Sequence, residues 1–187
     1  MPTTTPFKLT VHMVSSVDGF IAKKDNSVSW FETSSPYEQG VTGQDPETFL
    51  KAIDCYVMGA RTYELALELS KHYGWAYGDK PTVVVTHSML RNERPNIEFY
   101  SGDLSTLVNE RLKPHYRNVW IVGGAMLARD FIRQKLTHEI RISVLPILLG
   151  EGKLFFDVIG VEQPLHLKDV TAYKNGMVEL CYEIRNT

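Results

Sequence analysis

Val119-Trp-Ile-Val-Gly-Gly-Ala-Met-Leu-Ala-Arg-Asp-Phe-Ile-Arg133 compresses a strand, a glycine turn and a helix into fifteen residues. The apolar run up to Val122 suits a buried strand, and beyond the glycines the apolar residues return at helical spacing. Adjacent glycines at such a junction let the backbone approach a ligand closely. The helix that follows offers unpaired N–H groups and the positive end of its dipole to an anion. Two readings follow, a tight strand–helix connection or a cradle for a phosphate-bearing cofactor, and the surrounding chain decides between them.

Outward from this stretch, β-type and helical segments alternate. Phe7 to Val14 reads as a strand, Asp18-Gly19 as a turn, and Trp30 to Gly43 as a loop longer than a simple connection needs. Asp45 is an N-cap candidate with Pro46 at the first helical position, which predicts a helix to about Ala52. A strand over 54–58, a turn at Gly59, a helix over 61–71, strands over 81–86 and 97–100 and a helix over 103–113 follow. After residue 138 the pattern changes. Glu139 to Leu145 alternates, and two further alternating runs flank Asn175-Gly176 as a hairpin. These elements predict one α/β domain over 1–187, a mixed and mostly parallel sheet with helices on both faces, closed by antiparallel strands.

Composition sets the chemical limits. The chain has 187 residues, 43% hydrophobic and 22% charged, enough for one core of its own. A formal net charge of −2 with scattered Lys and Arg gives no basic field, so no nucleic-acid partner is expected. No apolar run reaches bilayer length and Met1 to Pro6 has no apolar signal region, so the expected location is the cytoplasm, without a membrane partner. Cys55 and Cys181 sit in apolar strand runs as small hydrophobes rather than as a disulfide. The six histidines lack ligand spacing, and no metal is expected.

In an open α/β sheet, ligands bind at the carboxyl ends of the strands. Three predicted strand ends carry anion-binding chemistry: Met58-Gly-Ala-Arg-Thr62, Val85-Thr-His-Ser88 and Val122-Gly-Gly-Ala125. Arg61 suits a bidentate phosphate contact, the Thr62 hydroxyl stands near a helix start, and Ser88 with Arg91 or Arg94 suits a further phosphate. One extended dinucleotide can touch all three loops. The G-x-G-x-x-G fingerprint is absent, which argues against an ordinary Rossmann domain.

Together with Ser16-Val-Asp-Gly-Phe-Ile-Ala22 and Leu145-Pro-Ile-Leu-Leu-Gly-Glu-Gly152, these motifs resemble the dihydrofolate reductase-like superfamily. Its nearest branch here is the riboflavin-biosynthesis reductase (RibD C-terminal) domain family. The resemblance spans about Lys8 to Ile184 and keeps the family's motif order. It implies a sheet of about eight strands flanked by helices, NADPH as hydride donor and a homodimer. Carried over by motif, Gly59, Ala60, Arg61 and Thr62 face the pyrophosphate and phosphorylated ribose. Thr86, His87 and Ser88 lie by the adenosine, and Val122, Gly123, Gly124, Ala125 and Met126 form the main cradle. Ala22 and the 23–28 loop flank the nicotinamide, and Ser29 and Trp30 approach the substrate.

Other residues keep two readings. Trp30 also suits a core position, Asp18 is either a turn residue or a ligand contact from its strand end, and Asp45 or Glu47 is the candidate catalytic carboxylate, with Asp45 also an N-cap. Lys80 stands where the folate-binding branch places an arginine for a carboxylate tail, and a point charge grips that group less well. The H-x-E and P-C-x-x-C elements of zinc deaminases are missing. The implied activity is that of a stand-alone 5-amino-6-(5-phosphoribosylamino)uracil reductase. The alternatives are a reductase of another heterocycle or carbonyl compound, or a cofactor-binding dimeric module with little catalysis.

Overall fold

The computed structural model describes residues 6–42 and 50–185. Its centre is an eight-stranded sheet whose strands run β5-β4-β3-β6-β1-β7-β10-β9. These are β1 (Lys8–Ser16), β3 (Cys55–Gly59), β4 (Thr82–Val85), β5 (Ile97–Tyr100), β6 (Asn118–Gly123), β7 (Glu139–Leu145), β9 (Leu165–Ala172) and β10 (Val178–Ile184). From β5 to β7 every neighbouring pair is parallel, whereas β7–β10 and β10–β9 are antiparallel. Two short strands, β2 (Phe20–Ala22) and β8 (Lys153–Leu154), make a separate ribbon. The mixed sheet and its antiparallel close are those expected.

β1 lies between β6 and β7 and is buried along nearly its whole length, on both faces. One face carries Leu9, Val11 and Met13, packed with Val57, Val119 and Ile121. Helix α2 (Leu104–Thr106, continuing as a π turn over Leu107–Leu112) and helix α3 (Ala125–Arg133) cover that face through Leu107, Leu112, Ala128 and Phe131. The other face carries Tyr56, Met58 and Val84 and is covered by Tyr63 of helix α1 (Ala60–Tyr73) with Trp75 and Tyr77. Each fully buried side chain of this size contributes about 1.5–3 kcal/mol. Helices on both faces are therefore the reason that β3, β4 and β6 read as unbroken apolar runs.

Helix ends follow local chemistry. Asp103 caps α2 by accepting from the Thr106 N–H at 2.9 Å, and Gly74 ends α1 in a left-handed conformation at φ 79°. The π turn is new: Lys113 N–H reaches back to the Val108 carbonyl at 2.9 Å. Within the expected 30–43 loop, Ser29–Glu32 forms a 3-10 turn. The chain then pairs with the C-terminal hairpin, where Ser35 N–H donates to Asn175 at 2.9 Å, Tyr37 to Lys174 at 3.0 Å and Val41 to Ala172 at 2.9 Å. Gly40 permits the approach, since a Cβ there would lie 2.5 Å from the Tyr173 carbonyl carbon. Most of the helix expected over 45–52, including the candidate carboxylates Asp45 and Glu47, lies outside the described residues.

Candidate active site

Adjacent parallel strands β3 and β6 both end in glycine and both run straight into helices, so the N-termini of α1 and α3 arrive side by side. Gly59 and Gly124 are the N-cap residues, and neither helix has a side-chain cap on its first-turn N–H groups. A Cβ built on Gly59 would lie 4.0 Å from the Gly124 nitrogen, and one on Gly124 would meet only the Thr62 Oγ1, at 3.7 Å. The two N-termini thus adjoin with no close backbone crowding, and the Thr62 hydroxyl lies beside that of α3. Uncapped donors and two aligned dipoles there suit an anion, and the phosphates of a dinucleotide fit them. The Gly123–Gly124 peptide is cis, and Gly123 itself, at φ 122°, is packed against the Met13 sulfur.

Around this cradle the other cofactor candidates gather at the same sheet edge. Ala60 and Thr62 are half-buried and Arg61 is exposed in the first turn of α1. Val122 and Ala125 are half-buried and Met126 is exposed at the start of α3. Beyond β4, the buried Thr86 accepts from the Ser88 N–H at 2.9 Å, which folds the chain into a tight turn, and His87 Nδ1 lies 2.9 Å from the Ser101 hydroxyl.

The strand end of β1 is organised differently. Asp18 uses both carboxylate oxygens on its surroundings: Oδ1 accepts from the Ser16 hydroxyl at 2.6 Å and the Leu149 N–H at 3.1 Å, and Oδ2 from the Gly150 N–H at 2.7 Å. The Ser16 hydroxyl, with help from those amides, holds its carboxyl below the usual range. Asp18 therefore ties the 146–152 loop to β1. Ala22 is buried, and its carbonyl sits where a Cβ of Gly152 would fall. Ser29 is exposed and lies 3.2 Å from the Ser27 hydroxyl. Trp30 is 4% exposed, packs edge-on against Phe31, and its indole N–H has no acceptor among the described residues. Lys80 is spent on the backbone: its ammonium donates to the carbonyls of Leu50, Lys51 and Ile53. It closes the end of a helix rather than waiting for a ligand carboxylate.

One group has no counterpart in the sequence reading. On the face of β1 opposite Leu9 and Val11, His12 Nε2 lies 2.9 Å from the Ser143 hydroxyl, and Ser143 in turn lies 3.5 Å from Glu179 Oε2. Arg141 donates to Glu179 at 2.9 Å and to Glu139 at 3.0 Å. Glu139, 2% exposed, also meets Lys168 at 3.1 Å and Lys8 at 3.6 Å. Burial pushes the Glu139 carboxyl up, yet Arg141, Lys8 and Lys168 outweigh it and the net shift is downward. Trp120 stacks on His12 with ring centroids 4.9 Å apart, and burial with the Arg141 charge lowers His12 to about 4. The only sequence signal was the polar half of the alternation in β7, Glu139, Arg141 and Ser143. A strand enclosed by β1 and β10 has to pair such residues.

Two cavities, of about 230 and 210 Å³, open beside β4, β5 and α2 and are lined by Glu98, Arg111, Tyr116 and Asn96 among others. None of the candidate residues lines them. No helix among the described residues is long and apolar enough to cross a membrane, and no cluster there has the makings of a metal site.

The family model of the RibD C-terminal domain matches residues 7–179. The chain belongs to that family. Among sequence relatives, the Bacillus subtilis (strain 168) protein YwjB, of unassigned function, is 29% identical over 175 residues, covering 94% of this chain and 97% of its own. A solved structure from Shewanella sp. PV-4, provisionally named for riboflavin biosynthesis, superposes with a TM-score of 0.81 at 21% identity, covering 96% of this chain and 100% of that one. The Thermotoga maritima diaminohydroxyphosphoribosylaminopyrimidine deaminase/5-amino-6-(5-phosphoribosylamino)uracil reductase gives 0.66 at 14% identity, covering 97% of this chain and 57% of that longer one. Dihydrofolate reductase from Enterococcus faecalis, solved with NADP(H), gives 0.59 at 17% identity, covering 96% and 97%. The fold is dihydrofolate reductase-like, as expected.

Proposed function

We propose that this protein is a cytoplasmic NADPH-dependent reductase that delivers hydride to a pyrimidine of the 5-amino-6-(5-phosphoribosylamino)uracil kind. The observation that carries this reading is the pair of uncapped helix N-termini, at Gly59 and Gly124, lying side by side at one sheet edge. There the first-turn N–H groups of α1 and α3, with the Thr62 hydroxyl, hold the pyrophosphate, and Arg61 suits the 2′-phosphate that distinguishes NADPH from NADH. NADPH supplies the hydride, and the protein's part is to orient donor and acceptor and keep water out. Val14, Ile21 and the buried Trp30 serve that last purpose. Family membership supports the reductase reading, and the engagement of Lys80 with backbone carbonyls argues against a substrate with a folate-type carboxylate tail.

The homodimer expected from the family has a surface to form on. Leu165, Leu167 and Val170 of the edge strand β9 are 42–50% exposed, and no strand covers the outer side of β9 among the described residues. A second copy that covers this edge would bury them. Thermal unfolding tests the cofactor: NADP⁺ at about a hundred times its dissociation constant should stabilise by about 2.7 kcal/mol, and NAD⁺ at the same concentration much less. No shift with either nucleotide would contradict the proposal. Consumption of NADPH on addition of the pyrimidine then tests the reaction.

A further inference from the structure

Val14, one of the side chains that the reductase reading sets around the reacting ring to keep water out, begins a row of side chains that crosses the sheet. Val14 stands opposite Ser143 of β7, and Ser143 opposite Glu179 of β10. β1 ends at Ser16, β7 ends at Leu145 and β10 begins at Val178, so the row lies within two residues of the edge where the cradle opens. Along it an apolar residue gives way to a hydroxyl and then to a carboxylate.

Packing alone does not explain that change. The other face of β7 is built from Ile140, Ile142 and Val144, and a serine with a glutamate costs desolvation that such residues avoid. Their geometry is specific. Glu179 Oε1 takes the Arg141 guanidinium at 2.9 Å, while among the described residues Oε2 has only long approaches, 3.5 Å from the Ser143 hydroxyl and 3.8 Å from His12 Nε2. A carboxylate accepts about four hydrogen bonds, so Oε2 keeps acceptor capacity. The Glu179 side chain is 15% exposed, open enough to be reached and shielded enough for a bond to count. His12 fixes the serine: its ring is stacked on Trp120, whose Nε1 donates to the His12 carbonyl at 2.7 Å. The pair thus presents one oriented acceptor beside one hydroxyl that donates or accepts.

We propose that Ser143 and Glu179 determine substrate specificity, taking the edge of a nitrogen heterocycle that offers neighbouring N–H donors, such as vicinal ring amino groups. This rests on the reductase reading, because that reading makes the Val14 end of the row the hydride-transfer end. Carboxylate acceptance of N–H donors is charge-assisted, and a heterocycle with carbonyl groups in place of amines would turn acceptors toward Glu179.

The test uses 5,6-diaminouracil and uracil, which share a ring and differ by the two amino groups. Each is titrated anaerobically into wild type, Ser143→Ala, Glu179→Gln and Glu179→Asp, with and without NADP⁺, by calorimetry. Expected is tighter binding of 5,6-diaminouracil than uracil by wild type. Glu179→Gln should cut that preference at least tenfold, Ser143→Ala several-fold, and Glu179→Asp should restore part of it, with NADP⁺ affinity unchanged throughout. A merely structural pair would move Tm and leave the preference intact, and that result would overturn the proposal. So would equal affinity of wild type for the two pyrimidines. Failure of NADP⁺ to bind wild type contradicts the reductase reading instead, and the nucleotide-free titrations then still decide on the pair.

Discussion

The two halves of the sheet solve opposite electrostatic problems. On the parallel side, β3 and β6 end in glycines, and the helices that follow leave backbone donors uncapped, so positive potential is offered without a single charged side chain being required. On the antiparallel side, Arg141 of β7 is paired with Glu139 on its own strand and with Glu179 across on β10, and the Ser143 hydroxyl lies beside Glu179. One half offers backbone left open, the other side chains held in place. A substitution should therefore act through ligand affinity in the first half, and through stability at Glu139 in the second.

The largest expected effect sets two neighbouring glycines against each other. Gly124→Val places its Cβ in ordinary van der Waals contact with the Thr62 hydroxyl, at 3.7 Å, so the chain should fold with little change in Tm and lose NADPH affinity by 100-fold or more, on the order of 3 kcal/mol. Gly123→Val meets the Met13 sulfur at 2.8 Å with φ at 122°, so its main effect should be a lower Tm. Affinity titrations and thermal melts on both variants separate the two outcomes. In the antiparallel half, Glu139→Gln removes the one carboxylate shared by Lys8, Arg141 and Lys168, and should cost about 3–5 kcal/mol in urea unfolding with nucleotide affinity intact.

The glycine half was legible because its signal is local. At Gly123-Gly124 the apolar period changes from strand to helix within a few residues, and that junction with those at Gly59 and Thr86 marked three strand ends that the parallel sheet brings to one edge. The charged half was not legible beyond its strands. Ser143 lies 131 positions from His12 and 36 from Glu179, and the three meet only through the β1–β7–β10 register, to which no short stretch of sequence points. Lys80 could be read as a cation, but not as the partner of carbonyls some thirty residues earlier. The π turn escaped notice because Leu104, Leu107, Val108 and Leu112 fit an ordinary helix as well.

A pH series sharpens the contrast further. His12 falls from 6.5 in the unfolded chain to about 4 in the folded one, so the unfolded state takes up its proton first as pH drops. Stability should be full above pH 6.5 and decline by about 3 kcal/mol on acidification to pH 4, and His12→Asn should remove that part of the slope. Glu139, held low by its cations, adds a further loss at more acid pH, as its own folded value is passed. The smallest effect is expected at Asp18. In Asp18→Asn one oxygen becomes a donor, and faster hydrogen exchange at the Leu149 and Gly150 amides should report the loosened loop while the sheet amides keep their protection.

Backbone chemical shifts of the ¹⁵N-labelled protein during an NADPH titration test the central claim most directly. The account predicts that the amides of Ala60, Arg61, Thr62, Ala125, Met126 and Leu127 move together and saturate at one dissociation constant, because both helix N-termini hold the same pyrophosphate. Saturable shifts that leave either helix start untouched would contradict it.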